Sequence, residues 1–250
     1  MTINIISHRG SGVGARENTV AAFAAALKQG AHSFECDVRF TRDLKPVIHH
    51  DFTALSLFRK LTPIKRLTLA QIQHLSTYHD ASVNSLDDVL NFLGFTNAQC
   101  YLHLKDVSRL PVLGILRQIE RSHLAGQMFF VIPGSEYGRL QSFGVNPNRI
   151  VVMVPYPFFR FGHNIARSVC HEVALLAPPG ILNLDAAFLR LVETASGQAR
   201  AVGHRVSVGL GDTVSTLQWL SALPVDGIWT NQPVLCNDVL QRAARLDIAV

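Results

Sequence analysis

No two cysteines in this 250-residue chain form a CxxC pair; Cys36, Cys100, Cys170 and Cys236 stand far apart. That spacing excludes a zinc knuckle and gives no sign of a disulfide framework. Cys36 and Cys100 sit among apolar strand residues and are expected to fill core. No stretch approaches the ~18 consecutive apolar residues of a membrane-spanning helix, so stable membrane insertion is not expected. Charged residues make up only 16% of the chain, and its 23 lysines and arginines form no run and no basic helix. A surface that tracks nucleic acid is therefore not expected. With neither a low-complexity linker nor a convincing repeat, residues 1–250 read as one domain. The first strand-like segment begins within a few residues of Met1, which leaves no room for a signal peptide, and the expected location is cytoplasmic.

What the chain has is apolar residues and a small positive charge. At 48% the apolar fraction supplies a large core and is rich for a monomer's surface, so homo-oligomer formation stays open. The formal net charge of +5 is a weak bias toward small anionic ligands such as phosphates.

Strand-like and helix-like patterns alternate throughout. Strands are expected at Ile3–Ser7, Phe34–Phe40, Gln99–Leu104, Met128–Ile132, Ile150–Val154, Arg205–Val208 and Asp226–Ile228, with an eighth somewhere in Val173–Leu184. Pro178-Pro179-Gly180 blurs that last register. Val47–His50 is a short extended piece. The first helix is expected to start with Asn18 as N-cap and to stop at Gly30, and another runs from Pro111 to about His123. Thr68-x-x-Gln71 and Ser85-x-x-Asp88 resemble capping boxes opening two short helices. This alternation predicts an α/β fold, a TIM (β/α)8 barrel with a small insertion after strand 2.

Against that pattern, the second strand carries charge where a barrel strand should be apolar. Strand side chains alternate faces, so Glu35, Asp37 and Arg39 share one face while Phe34, Cys36 and Val38 share the other. Two neighbouring carboxylates repel and are costly to bury, and a divalent metal between them is the simplest remedy. In strand three the same alternation puts Tyr101, His103 and Lys105 on one face. His8 and Arg9 end strand one, and His49, His50 and Asp51 follow strand two, so several strands deliver polar groups to the C-terminal end of the barrel.

The run His8-Arg9-Gly10, Glu17-Asn18-Thr19, Gly30, Glu35-x-Asp37, Thr41-x-Asp43 and Pro46-Val47-x-x-His50-Asp51 resembles the glycerophosphodiester phosphodiesterases. Ser85–Leu90 and Val225-Asp226-Gly227-Ile228-Trp229-Thr230-Asn231-x-Pro233 continue the likeness more weakly. The resemblance implies a metal-dependent phosphoric diester hydrolase of lipid or glycerol metabolism, cleaving a glycerophosphodiester or a related sugar or lipid phosphodiester to a phosphomonoester and an alcohol. It implies Glu35 and Asp37 as ligands of Mg²⁺ or Ca²⁺, Arg9 and Lys105 on the phosphate, and His8 and His50 as an acid–base pair. Imidazole suits that work because it titrates near neutral pH.

The chain departs from the family in three places. His103 stands where the family has a third metal carboxylate; it either joins the metal, favouring Mn²⁺ or Zn²⁺, or contacts substrate instead. Gly209-Leu210-Gly211-Asp212 replaces an aromatic-Thr-Val-Asn run, which would loosen the site. Asp212 is then either a substrate acceptor or, more simply, the N-cap of the next helix. Finally, Pro155-Tyr156-Pro157-Phe158-Phe159-Arg160-Phe161 follows strand five, which makes Phe158, with Trp229 and Asp212, a candidate for the substrate pocket. These departures favour an alcohol bulkier than simple glycerol, such as a sugar or lysophospholipid moiety.

Other readings share parts of this pattern. Gly10-x-Gly12-x-Gly14 suggests dinucleotide binding, but Glu17 stands where the third glycine belongs and Glu35 and Asp37 are two acids in mid-strand. A phospholipase D-like lyase giving a cyclic phosphate would use the same residues. A degenerate, non-catalytic phosphodiester-binding barrel would have no need of two acid–base histidines.

Overall fold

The computed structural model describes residues 3–10, 14–78, 83–158, 170–177 and 186–248, of which 77, 78, 186, 187 and 246–248 are described by backbone alone. Nine strands form one sheet: β1 (Asn4–Ser7), β2 (Ser33–Phe40), β3 (Pro46–Ile48), β4 (Gln99–Leu104), β5 (Met128–Pro133), β6 (Ile150–Pro155), β7 (Glu172–Leu176), β8 (Arg205–Gly209) and β9 (Gly227–Thr230). Eight of them pair in parallel, and β1 bonds to both β9 and β2, which closes the sheet into a barrel. The ninth, β3, pairs antiparallel with β2 outside that ring. These eight barrel strands match the eight expected ones, each shifted at its ends by at most two residues except the one that had no fixed register. Pro178-Pro179-Gly180 lies outside the described residues.

Helices α1 (Val20–Lys28), α4 (Leu86–Leu93), α5 (Arg109–Ser122), α6 (Tyr137–Ser142), α7 (Ala186–Ala201), α8 (Val214–Ala222) and α9 (Pro233–Ile248) follow the barrel strands. Two apolar layers result, as a barrel buried on both faces requires. The outer layer lies between strands and helices, with Phe23 of α1 stacked on Phe34 of β2 at 4.4 Å. The inner one fills the barrel with Ile6, Tyr101, Phe129, Val131, Val151, Ala174, Leu210 and Trp229. All four cysteines are buried and unpaired by disulfide.

The insertion after β2 holds β3, α2 (Leu55–Phe58) and α3 (Leu69–Tyr78) and has a small core of its own, built on Val47, Phe58, Ile64 and Ile72. Both expected capping boxes are present: Ser85 and Asp88 bond reciprocally at the start of α4, and Thr68 and Gln71 do so at the start of α3. At α1 the expectation fails. Thr19, not Asn18, is the N-cap; its hydroxyl accepts from the Ala22 N–H. Asn18 instead takes a left-handed conformation, φ +59°. Among non-glycine residues asparagine tolerates that region best, and the turn releases its side chain for another task.

Candidate active site

Strand pairing brings the two charged faces together. Asp37 is the register partner of His103, and Glu35 of Tyr101, so both acids and the imidazole lie on the inner face near the C-terminal end of β2 and β4. Glu35 and Asp37 are each only 1% exposed. His103 Nδ1 lies 3.6 Å from Glu35 Oε1 and 3.4 Å from Asp37 Oδ1. One donor atom from each of the three residues lies within 4.8 Å of the others. Glu35 Oε1 is buried and makes no hydrogen bond among the described residues, and Asp37 Oδ1, also buried, meets the Lys105 ammonium at 2.8 Å in an ion pair outside hydrogen-bond geometry. A buried carboxylate oxygen without a donor is costly. These two oxygens and the imidazole nitrogen, facing one another, suit one divalent ion, whose oxygen and nitrogen ligands sit about 2.0–2.6 Å away.

Cations frame the acids. Lys105 Nζ lies 2.8 Å from Asp37 Oδ1 and 3.1 Å from His103 Nδ1. Arg9 Nε lies 3.2 Å from Asp37 Oδ2, an ion pair without hydrogen-bond alignment, while the Arg9 backbone N–H donates to Glu35 Oε2. Burial alone would raise the Asp37 carboxyl, but His103, Lys105 and Arg9 outweigh it and hold it well below the usual carboxylate range. Burial pulls the His103 imidazole down, and the Asp37 and Glu35 carboxylates more than offset that, so its pKa is raised.

The residue that sequence reasoning missed is Asn18. Its Nδ2 donates to Asp37 Oδ2 at 2.9 Å and its Oδ1 accepts from the Asp37 backbone N–H, also at 2.9 Å, so that one side chain fixes both ends of the aspartate. The Glu17-Asn18-Thr19 run carried the signal, but a helix-capping role was the simpler interpretation. The turn before it depends on Gly10, at φ +80°, where a Cβ would come within 2.7 Å of Ala22 Cβ.

Both candidate acid–base histidines flank residues tied to this cluster. His8 follows β1 and precedes Arg9, and its Nδ1 lies 2.8 Å from Asn231 Oδ1. His50 is half exposed; its Nδ1 lies 3.0 Å from Asp51 Oδ1, and Arg39 Nε donates to its carbonyl. The neighbouring His49 is buried, with its ring on the Thr53 carbonyl and its N–H on the Asp37 carbonyl, which makes it a structural residue.

The remaining expected pocket residues take these positions. Trp229 is buried in the barrel's inner layer, its indole N–H donating to Ser207 Oγ. Phe158 is exposed, and Phe159–Phe161 lie outside the described residues. At Gly209 a Cβ would fall 2.5 Å from Trp229 Cβ, so the glycine admits the close approach of β9. Asp212 does not cap α8; Thr213 does. The Asp212 carboxylate accepts from Thr230 Oγ1, the Asn231 backbone N–H and Asn231 Nδ2. The middle of Gly10-x-Gly12-x-Gly14 lies outside the described residues as well.

A family model described as the glycerophosphoryl diester phosphodiesterase family matches residues 8–111. A probable glycerophosphodiester phosphodiesterase 1 of Mycobacterium tuberculosis is 38% identical over 79 residues, covering 31% of this chain and 29% of that protein. A glycerophosphodiester phosphodiesterase 1 of Homo sapiens is 35% identical over 103 residues, covering 40% of this chain and 31% of that protein. The matched segments thus span less than a third of either relative. Solved structures match the whole barrel. A putative glycerophosphoryl diester phosphodiesterase from Silicibacter pomeroyi superposes with a TM-score of 0.80 at 17% identity, covering 97% of this chain and 94% of that one. An Oleispira antarctica phosphodiesterase in complex with the product sn-glycerol-3-phosphate superposes with a TM-score of 0.69 at 18% identity, covering 95% and 96%. At such identities the superpositions establish the fold.

Proposed function

We propose that this chain, which belongs to the glycerophosphoryl diester phosphodiesterase family, is a metal-dependent hydrolase of a glycerophosphodiester or a related sugar or lipid phosphodiester. The observation that carries the proposal is the convergence of two buried carboxylate oxygens, Glu35 Oε1 and Asp37 Oδ1, with His103 Nδ1 beside Arg9 and Lys105. When bound there, a divalent ion would neutralise charge on the phosphoryl oxygens. Glu35, Asp37 and His103 would hold it. Mg²⁺ or Ca²⁺ suits the two carboxylates, and the imidazole shifts preference toward Mn²⁺ or Zn²⁺.

The chain's own residues would do the rest. Arg9 and Lys105 bind the phosphate and keep its negative charge beside the cluster. Water attacks phosphorus as the bond to the alcohol oxygen breaks. One of His8 and His50 takes the proton of the attacking water, and the other returns one to the departing alkoxide. The products are a phosphomonoester and an alcohol. Beside Lys105 a cleft of about 370 Å³ opens, lined among others by Arg39, Phe52, Lys65, Asp106 and Arg139, and this is where the alcohol moiety would lie. Its mixture of cations and one exposed ring fits an alcohol larger than glycerol.

Turnover by chelator-stripped protein, with Mg²⁺, Ca²⁺, Mn²⁺ or Zn²⁺ restored singly, tests the proposal against glycerophosphodiesters, sugar phosphodiesters and lysophospholipids. Metal-restored release of a phosphomonoester is expected, and the larger diesters should turn over faster than glycerophosphocholine. Phosphorus NMR of the first product separates hydrolysis from a lyase, which would give a cyclic phosphate. Absence of turnover with every metal, in folded protein, would replace the enzyme by a phosphodiester-binding barrel.

A further inference from the structure

Three strand ends meet at His8. The histidine follows β1, Asn231 follows β9 and Asp212 follows β8 closely. His8 Nδ1 lies 2.8 Å from Asn231 Oδ1. Asn231 Nδ2 lies 2.7 Å from Asp212 Oδ2, and the Asn231 backbone N–H donates to Asp212 Oδ1, also at 2.7 Å. Thr213 caps α8, so the Asp212 side chain is not needed there.

These contacts have only one consistent pattern of protons. A carboxylate accepts and does not donate, so the Asn231 amide must turn its NH₂ to Asp212. Its carbonyl oxygen then faces His8, and that oxygen also only accepts. His8 Nδ1 must therefore carry a hydrogen; with the proton on Nε2 instead, two lone pairs would face each other across 2.8 Å. We propose that Asp212 is a positioning residue: through the Asn231 amide it holds neutral His8 as the Nδ1–H tautomer and reserves Nε2 for the proton exchanged with substrate. The use of that proton rests on the function proposed above, whereas the tautomer itself does not.

The test is ¹⁵N NMR of the full chain labelled at histidine, with the His8 signals assigned by comparison with His8→Gln. In the native protein, neutral His8 is expected to carry its proton on Nδ1. Asp212→Asn keeps size and shape but reverses the chain. The new amide must keep its oxygen toward the Asn231 backbone N–H and Thr230. Its NH₂ then forces the Asn231 amide to flip, and the His8 proton moves to Nε2. Alongside, kcat should fall roughly 10–100-fold, as for other groups that orient a working side chain, with KM little changed. Asn231→Asp sets two carboxylates against each other and should be similarly impaired. The exchanged pair, Asp212→Asn with Asn231→Asp, gives the new carboxylate a donor on one side and His8 Nδ1–H on the other, so tautomer and kcat should both recover. A residue that only supported the fold would not show that rescue. Native His8 with its proton on Nε2, or a tautomer unchanged by Asp212→Asn, would overturn the inference. Should no diester be turned over at all, the spectra still decide it.

Discussion

Glu172 and Asp37 both lie on the inner face of one barrel, 0% and 1% exposed, and their carboxyls are shifted in opposite directions. Glu172, at the start of β7, has hydroxyls for partners: Ser207 Oγ donates to one oxygen and Tyr101 OH lies 3.4 Å from the other. Burial pushes its pKa up to about 7, and these donors together with nearby Arg205 offset only part of that. Asp37, toward the C-terminal end of β2, is surrounded by His103, Lys105 and Arg9 and stays ionised far below the ordinary range. Glu172 has both oxygens on neutral hydroxyls, whereas Asp37 faces cations and lies beside Glu35 Oε1, a buried oxygen with no hydrogen bond among the described residues. Burial alone does not mark a working carboxylate. What distinguishes Asp37 is a charge held ionised by the cations around it.

The sharpest way to break this comparison is to neutralise one member at a time. Asp37→Asn removes a proposed metal ligand and the partner of two cations, and should cost on the order of 10²–10³-fold in kcat/KM, a loss typical of removing one charge-stabilising group. Steady-state kinetics at saturating metal would measure it; activity within a few-fold of the native protein would remove Asp37 from the site. Glu172→Gln should leave activity nearly unchanged and alter stability instead. A carboxyl raised from its ordinary 4.5 to about 7 favours the fold below pH 4.5, and that contribution is lost as pH rises to 7. The substituted protein should therefore be more stable than the native one by up to about 3 kcal/mol at pH 8 and little different at pH 4. Denaturant unfolding at the two pH values checks this, and equal stability at pH 8 would mean that burial does not raise the Glu172 carboxyl. Asn18→Ala is the smaller test. Losing both bonds to Asp37 should lower kcat/KM about 10–100-fold, in the range for groups that orient a metal ligand, while Asp37 remains present. An unchanged metal affinity together with unchanged kinetics would make Asn18 a turn residue only.

Much of the rim was legible because strand alternation is local. Once β2 and β4 were located, period two alone put Glu35 and Asp37 on one shared face and His103 and Lys105 on another, and parallel pairing then set Asp37 against His103. Helix starts written as reciprocal pairs, such as Ser85 with Asp88, were legible for the same reason. Asn18 was misassigned because its function depends on a left-handed turn that aims it at β2, and a capping residue would look the same in sequence. The N-cap expectation for Asp212 failed because its partner Asn231 lies on the far side of a helix and a strand, and His8 at the other end of the chain. Glu172 gave no signal at all. Strand β7 is buried on both faces, so alternation could not say which side faced the barrel interior.

Titration calorimetry of a divalent cation into chelator-stripped protein tests the central claim most directly. Native protein and Glu172→Gln should each bind one ion per chain, and Asp37→Asn should bind none or far more weakly. Binding that survives Asp37→Asn unchanged, or no binding by the native chain to Mg²⁺, Ca²⁺, Mn²⁺ or Zn²⁺, would contradict a metal site at Glu35, Asp37 and His103.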